Sequence, residues 1–349
     1  MAAYTTIKKP KDYFNTIIYT GNGSNGRALT GVGHQPDLVW IKNRSATEEH
    51  LWYDAVRGAD KLIRSNNTAA NATTSTTTYF NSFDSDGFTI GSETGMNANG
   101  QNIVAWNWRA SNATAASNSD GDVTSSVSVN QTAGFSIATV SNLNSNSFGH
   151  GLGKEPHLIF GKRIDDVANW RVYFKGIGSG KSLFLNTNAG ETTEGSAIAS
   201  ATSSTVTVTG SGNGGSAGTG TAVYYCFAPI RGYSKIGIYT GTGNADGTFI
   251  YTGFRPAWGV FKKINGTGDW LTLDNARDGG YRDQPLYKIL NANSTAAEAS
   301  SYASYQCDFV STGFKIRNTL GNQNADGDRY LYMAFAELPL VGDSPVTAR

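Results

Sequence analysis

Gly33-His34-Gln35-Pro36-Asp37-Leu38-Val39-Trp40-Ile41-Lys42 is matched twice further along the chain, over 153–162 and 253–262. Each copy opens on a glycine, reaches a proline within three residues (Pro36, Pro156, Pro256), continues through apolar residues and ends on a lysine. The prolines lie 120 and 100 residues apart, and self-similarity on that scale is weighed before any single residue. At an offset of 220, Tyr19, Thr20, Gly21 and Gly23 fall on Tyr239, Thr240, Gly241 and Gly243, and Leu51, Asp54 and Arg57 fall on Leu271, Asp274 and Arg277. At an offset of 120, Tyr53 falls on Tyr173 and His50 on Trp170, which itself corresponds to Trp270. Each copy closes on an aromatic-rich stretch, 104–108, 224–227 or 330–335. The reading is an internal triplication at roughly 95–120 residues per copy, enough for one compact domain each.

Composition sets the class. Only 16% of the 349 residues are charged and the net charge is +1, so neither a basic nucleic-acid footprint nor an acidic tail is present. Forty-two glycines and an aromatic set of 7 Trp, 17 Tyr and 16 Phe suit many short strands joined by tight turns. In the first copy, strands are expected at 14–19, 37–42, 50–53, 61–64, 79–83, 88–90 and 103–108. Asn25-Gly26, Asp86-Gly87, Asn99-Gly100, Asp246-Gly247 and Asp326-Gly327 offer hairpin-turn chemistry. The alanine-rich stretch 294–302 has room for one helical turn or two.

The expected fold is therefore all-β, three tandem β-sandwich domains of jelly-roll or concanavalin-like type. Residues 1–110 form the first and 111–130 a polar linker with one possible strand; 131–230 form a divergent second domain. Residues 231–349 form the third domain with a C-terminal tail. The Gly/Ser/Thr-rich insert at 187–221 includes an alternating Val/Thr run at 204–209, read as a solvated edge strand. Cys226 and Cys307 fall in different copies and read as two buried thiols. No apolar run approaches the roughly 18 residues of a membrane helix, and residues 1–11 hold no signal-peptide core, which implies synthesis in a cytosol.

Three motifs invite chemistry. The run 176–182 resembles a phosphate-binding loop, but Lys175 occupies the place of its first glycine and an apolar strand-like stretch follows in place of a helix. Asn322, Asn324, Asp326 and Asp328 have the oxygen spacing of half a calcium loop, a weak calcium candidate because Met333 stands where a bidentate glutamate belongs. The first copy has Asn97-Ala98-Asn99-Gly100 at that place, which points to a shared turn. The recurring pairs Asp54 with Arg57 and Asp274 with Arg277 read as structural ion pairs; the second copy has Phe174 and Ile177 instead. His34, His50, His150 and His157 show no metal-ligand spacing, and no nucleophile, base and orienting acid assemble. No catalytic, cofactor or metal residues are assigned.

The stretches 19–23, 33–44, 54–58, 83–88 and 104–108 together resemble uncharacterised structural proteins of tailed bacteriophages, especially marine ones. That resemblance covers the first copy nearly whole and most of the third. It implies a non-enzymatic virion protein, made in the host cytoplasm, tail-fibre-like or tail-associated, with lectin-like sandwich domains. The implied role is host attachment through a cell-surface glycan or protein, with other virion proteins and a homo-oligomer, a trimer by expectation, as partners. A head decoration or capsid-fibre protein is the alternative, and a glycan-degrading depolymerase the second.

Overall fold

Gly33, Gly153 and Gly253 all take positive φ, at 88°, 66° and 85°, a region closed to most side chains. Each turns the chain into a strand buried on both faces, and the apolar run that follows is what double burial demands. The computed structural model describes residues 5–142, 144–194, 198–210, 220–278, 284–299, 306–339 and 341. Over them the chain is all-β, and every pair of strands is antiparallel. Among the described residues no helix is long and apolar enough to cross a membrane.

The first unit has strands β1 (Phe14–Thr20), β2 (Arg27–Thr30), β3 (Leu38–Asn43), β4 (Leu51–Asp54), β5 (Lys61–Arg64), β6 (Ala72–Thr73), β7 (Phe80–Asp84), β8 (Gly87–Ile90) and β9 (Asn102–Trp108). The larger sheet has the order β1-β9-β3-β4-β5-β6 and the smaller β2-β8-β7. The second unit repeats the larger order with Phe135–Ser141, Thr221–Phe227, Leu158–Arg163, Arg171–Phe174, Lys181–Phe184 and Thr192–Thr193. The third does so with Ser234–Thr240, Arg329–Pro339, Phe254–Lys263, Leu271–Asp274 and Leu290–Asn291. A three-stranded sheet covers each.

Two local expectations are corrected. Residues 111–130 are not a linker, because Ala116–Asn118 and Ser125–Asn130 pair in succession onto Phe135–Ser141 and widen the second sheet. Their buried face, Val127 and Ser125, explains why a polar-looking stretch is ordered. Thr205–Val208 is the middle strand of its sheet, between Ser147–Gly149 and Ile198–Ala201, with Val206 and Val208 fully buried, and not a solvated edge. Residues 195–197 and 211–219 of the insert, 300–302 of the alanine-rich stretch and most of the C-terminal tail lie outside the described residues. Over 294–299 no helix forms, and Ala299 instead bridges to Ile289.

The largest correction concerns separateness. On β3, Val39 and Ile41 point between the two sheets of their own unit, whereas Leu38 and Trp40 point the other way. Leu158 and Phe160, and Trp258 and Val260, repeat that second direction. All six belong to one cluster that also takes in Trp52, Trp106, Trp108, Trp170, Trp270, Tyr225, Met333 and Phe335. Ring contacts cross every unit boundary: Trp52 lies 5.0 Å from Trp170, Phe160 6.2 Å from Trp270, and Trp108 5.5 Å from Trp258. Each larger sheet is thus buried on both faces, one against its own small sheet and one against the other two units. The units share a core, and are not beads on a string.

Candidate functional site

The polar residues most often repeated in the sequence lie at the seams between units, and each seam is built from the same parts. Lys162 Nζ donates to the Thr68 carbonyl (3.1 Å), Lys262 Nζ to Asn188 (3.0 Å) and Lys42 Nζ to Thr295 (3.0 Å). The backbone repeats the pattern: Ala168 donates to Thr68, Gly268 to Asn188 and Glu48 to Thr295, while Asn71 donates to Ile164, Glu191 to Ile264 and Glu298 to Arg44. Unit 2 therefore grips unit 1, unit 3 grips unit 2, and unit 1 grips unit 3. The lysine that ends each signature closes a ring.

Burial pulls Lys42 and Lys162 down to about 8 and Lys262 to about 7, the last despite the nearby Asp269 carboxylate. The unfolded chain keeps these protons up to the ordinary value of 10.5, so it binds more protons than the folded chain from about pH 7 upward. Stability is therefore expected to rise with pH between 7 and about 10. Thermal midpoints at pH 7 and 9 check this, and Lys262→Met should flatten the slope.

Asp54 and Asp274 sit at the centre of two seams, both fully buried. Asp54 accepts from the Val56 and Arg57 amides, the Arg57 guanidinium and, across the seam, Tyr225 Oη at 2.6 Å. Asp274 accepts from the Arg277 amide, Arg277 Nε at 2.6 Å and, across the next seam, Trp106 Nε1 at 3.0 Å. The arginines are spent as well, Arg57 on Asn71 and Trp52, Arg277 on Glu298 and Thr272. Strand register makes Trp106, Tyr225 and Met333 equivalent, since they face Trp40, Phe160 and Val260. Where the carboxylate is replaced by Phe174, the donor across the seam is replaced by Met333, and both enter the shared core. This matching of partners was missed in the sequence; its signal was the joint loss of Asp, Arg and donor, visible only once the third strand is aligned.

The calcium candidates do not converge. Asn324 is fully buried; its amide donates to the Asn244 and Asn318 carbonyls and its oxygen accepts from the Thr242 amide. Asn97 does the same for Ser24, Gly91 and Asn22 in the first unit. This loop presses on Gly21 and Gly241, where a Cβ would lie about 2 Å from the Ala98 or Ala325 carbonyl, which explains the recurring Tyr-Thr-Gly. Asp328 pairs with Lys263 at 2.5 Å, Asp326 packs against Gly243 and Asn322 lies beside Gly268. Among the described residues no group of three or more His, Cys, Asp or Glu is placed to hold a metal ion. Adding millimolar calcium or a chelator is expected to leave the thermal midpoint unchanged.

In the phosphate-loop look-alike, Lys175–Ile177 is a single 3-10 turn, Lys181–Phe184 is a strand, and Lys181 pairs with Glu191 at 2.8 Å. Cys226 and Cys307 are free and buried, with burial pushing the Cys226 thiol up to about 12. His34 is buried against the Lys11 carbonyl, and burial pulls it down to about 4.

On the outside the units differ. Phe249 and Tyr251, 47% and 51% exposed, alternate with buried Ile250 on the edge strand Phe249–Tyr251 of the third small sheet. The register places Ala28 and Thr30 there in unit 1, and Ser147 and Gly149 in unit 2. Beside the two rings, Asp246 pairs with Lys315 (2.7 Å) and Arg317 (2.8 Å), and Arg317 with Asp308 (2.7 Å).

Fold and site together define an all-β protein whose repeated polar residues are consumed in holding its sheets together. The chain belongs to the DUF7483 family, a domain of unknown function whose profile matches residues 9–339 as one unit. Neither curated proteins nor solved structures provide a significant match.

Proposed function

We propose that this chain is a non-enzymatic structural protein of a bacteriophage particle, tail-associated and contributing to adhesion at the host surface. The observation that carries the reading is the division of labour between inside and outside. The residues common to the copies build seams and turns, and the exposed outer strands are where the units diverge, as at Phe249 and Tyr251. A stiff scaffold presenting unequal surfaces suits attachment, and exposed aromatic rings beside paired charges suit a glycan or protein surface. The finer fold reading, concanavalin-like sandwiches arising by triplication, rests on the shared strand order and on the seams.

Phe249→Ser with Tyr251→Ser alters exposed side chains only, and is expected to reduce adsorption of particles while leaving the thermal midpoint nearly unmoved. Antibody against the protein should label the tail of intact particles; labelling on the head favours the decoration alternative, and no label on particles overturns both. Homotrimeric assembly with other virion proteins, synthesis in the host cytoplasm and function without cofactor belong to the same proposal, and molar mass in solution tests the trimer. A depolymerase is disfavoured because the repeated carboxylates Asp54 and Asp274 are buried and fully bonded. Sugar release from host polysaccharide would reverse that judgement.

A further inference from the structure

The three seams are alike in their lysines and main-chain bonds, and one of them stands apart at a buried position where the other two carry the same residue. Trp170 Nε1 donates to the Arg64 carbonyl at 2.7 Å, and Trp270 Nε1 to Phe184 at 2.8 Å. At the seam that joins unit 1 to unit 3 the equivalent residue is His50, fully buried. Its Nδ1 accepts from Trp40 Nε1 at 2.9 Å, which fixes the proton on Nε2. That nitrogen faces the main chain of Asn291, the residue equivalent to Arg64 and Phe184 in the other units, without the close bond the indoles make. This seam also carries an ion-pair group that the equivalent positions of the others lack. Arg44 and Arg277 meet on Glu298, at 2.7 and 2.8 Å, where Ile164 and Ile264 occupy the place of Arg44.

We propose that the seam between the first and third units is an acid-sensitive latch: protonation of His50 opens the ring there, while the other two seams stay shut. A second ring proton would set two N–H donors against each other across the Trp40 bond. The charged groups acting on the imidazole are Lys42 and Arg277, both cations. Of the nearby acids, Glu298 is held by Arg44 and Arg277, Glu49 by Asn66 and Asn67, and the Glu48 charge acts on Lys42. Among the described residues, no carboxylate is among the charged groups that act on His50. Burial and these cations hold His50 well below the usual histidine range. A folded-state value below the unfolded one means the closed seam excludes a proton that the opened seam takes up. Opening is then favoured about tenfold for each pH unit below about 6.5.

Hydrogen exchange on the full chain tests the latch. After correction for intrinsic rates, the opening constant at the amides of Glu48 and Glu298 should rise about 30-fold from pH 7.5 to pH 5. The matching amides of Asn71, Ala168, Glu191 and Gly268 should change far less. His50→Trp makes the three seams alike and His50→Gln keeps an acceptor for Trp40 without a titrating group; in either variant the excess should vanish. An equal response at all three seams, no response at the first, or an excess that survives in a folded variant overturns the proposal.

Discussion

Asp54→Ala is expected to destabilise the protein by about 3–5 kcal/mol, the range found when one partner of a buried ion pair is removed. The substitution leaves the Arg57 side chain, only 3% exposed, without its charge partner and strands the Tyr225 hydroxyl in the shared core. The second unit shows how the same place is filled without charge, by Phe174 and Ile177, which share the core cluster with Met333. Asp54→Phe alone should therefore be as damaging as Asp54→Ala. Asp54→Phe combined with Arg57→Ile and Tyr225→Met should recover a large part of the loss, because replacing a whole buried polar set by apolar groups is far milder than breaking it. Chemical denaturation of the single and triple variants measures the difference. A triple variant no better than Asp54→Phe would show that the carboxylate does more than join the units.

Trp258→Ala should cost about 3–5 kcal/mol as a large buried side chain is removed. With an unfolding entropy of roughly 2 cal/mol/K per residue, that lowers the thermal midpoint by roughly 5 °C. The form of the transition is as informative as its position. Trp258 meets the rings of Phe14, Trp40, Trp106 and Trp108 from the first unit and Phe335 from its own, at centroid distances of 5.5 to 6.4 Å. A residue of the third unit thus completes the core of the first, so calorimetry is expected to show one transition that moves as a whole. Independent domains would instead show two unmoved transitions and one lowered.

Much of the local structure was legible. The seven strands expected in the first unit all form, within about a residue of their expected ends. Gly26, Gly87, Gly100 and Gly327 take the positive φ their Asn-Gly and Asp-Gly steps imply, whereas Gly247 does not. What escaped were elements with weak local patterns. β2 and β6 are short, and Ala116–Asn118 is a three-residue stretch with no apolar alternation, made a strand by the sheet beside it. The Asp and Arg pairs were recognisable as structural, yet their third partners, Tyr225 and Trp106, were not, because each lies in another unit.

The order of polar and apolar residues along each copy decided that this chain would be all-β, where its signature turns fall and which strands are buried on both faces, since turn chemistry and period-two alternation act over a few residues. A doubly buried strand such as Leu38–Asn43 announces that something must cover its second face, but does not say what. That the cover is the other two units was decided by tertiary packing, through contacts between residues from 74 to 253 positions apart. It is there that the signature lysine becomes a bond between units, and that one histidine among tryptophans sets one seam apart from the other two.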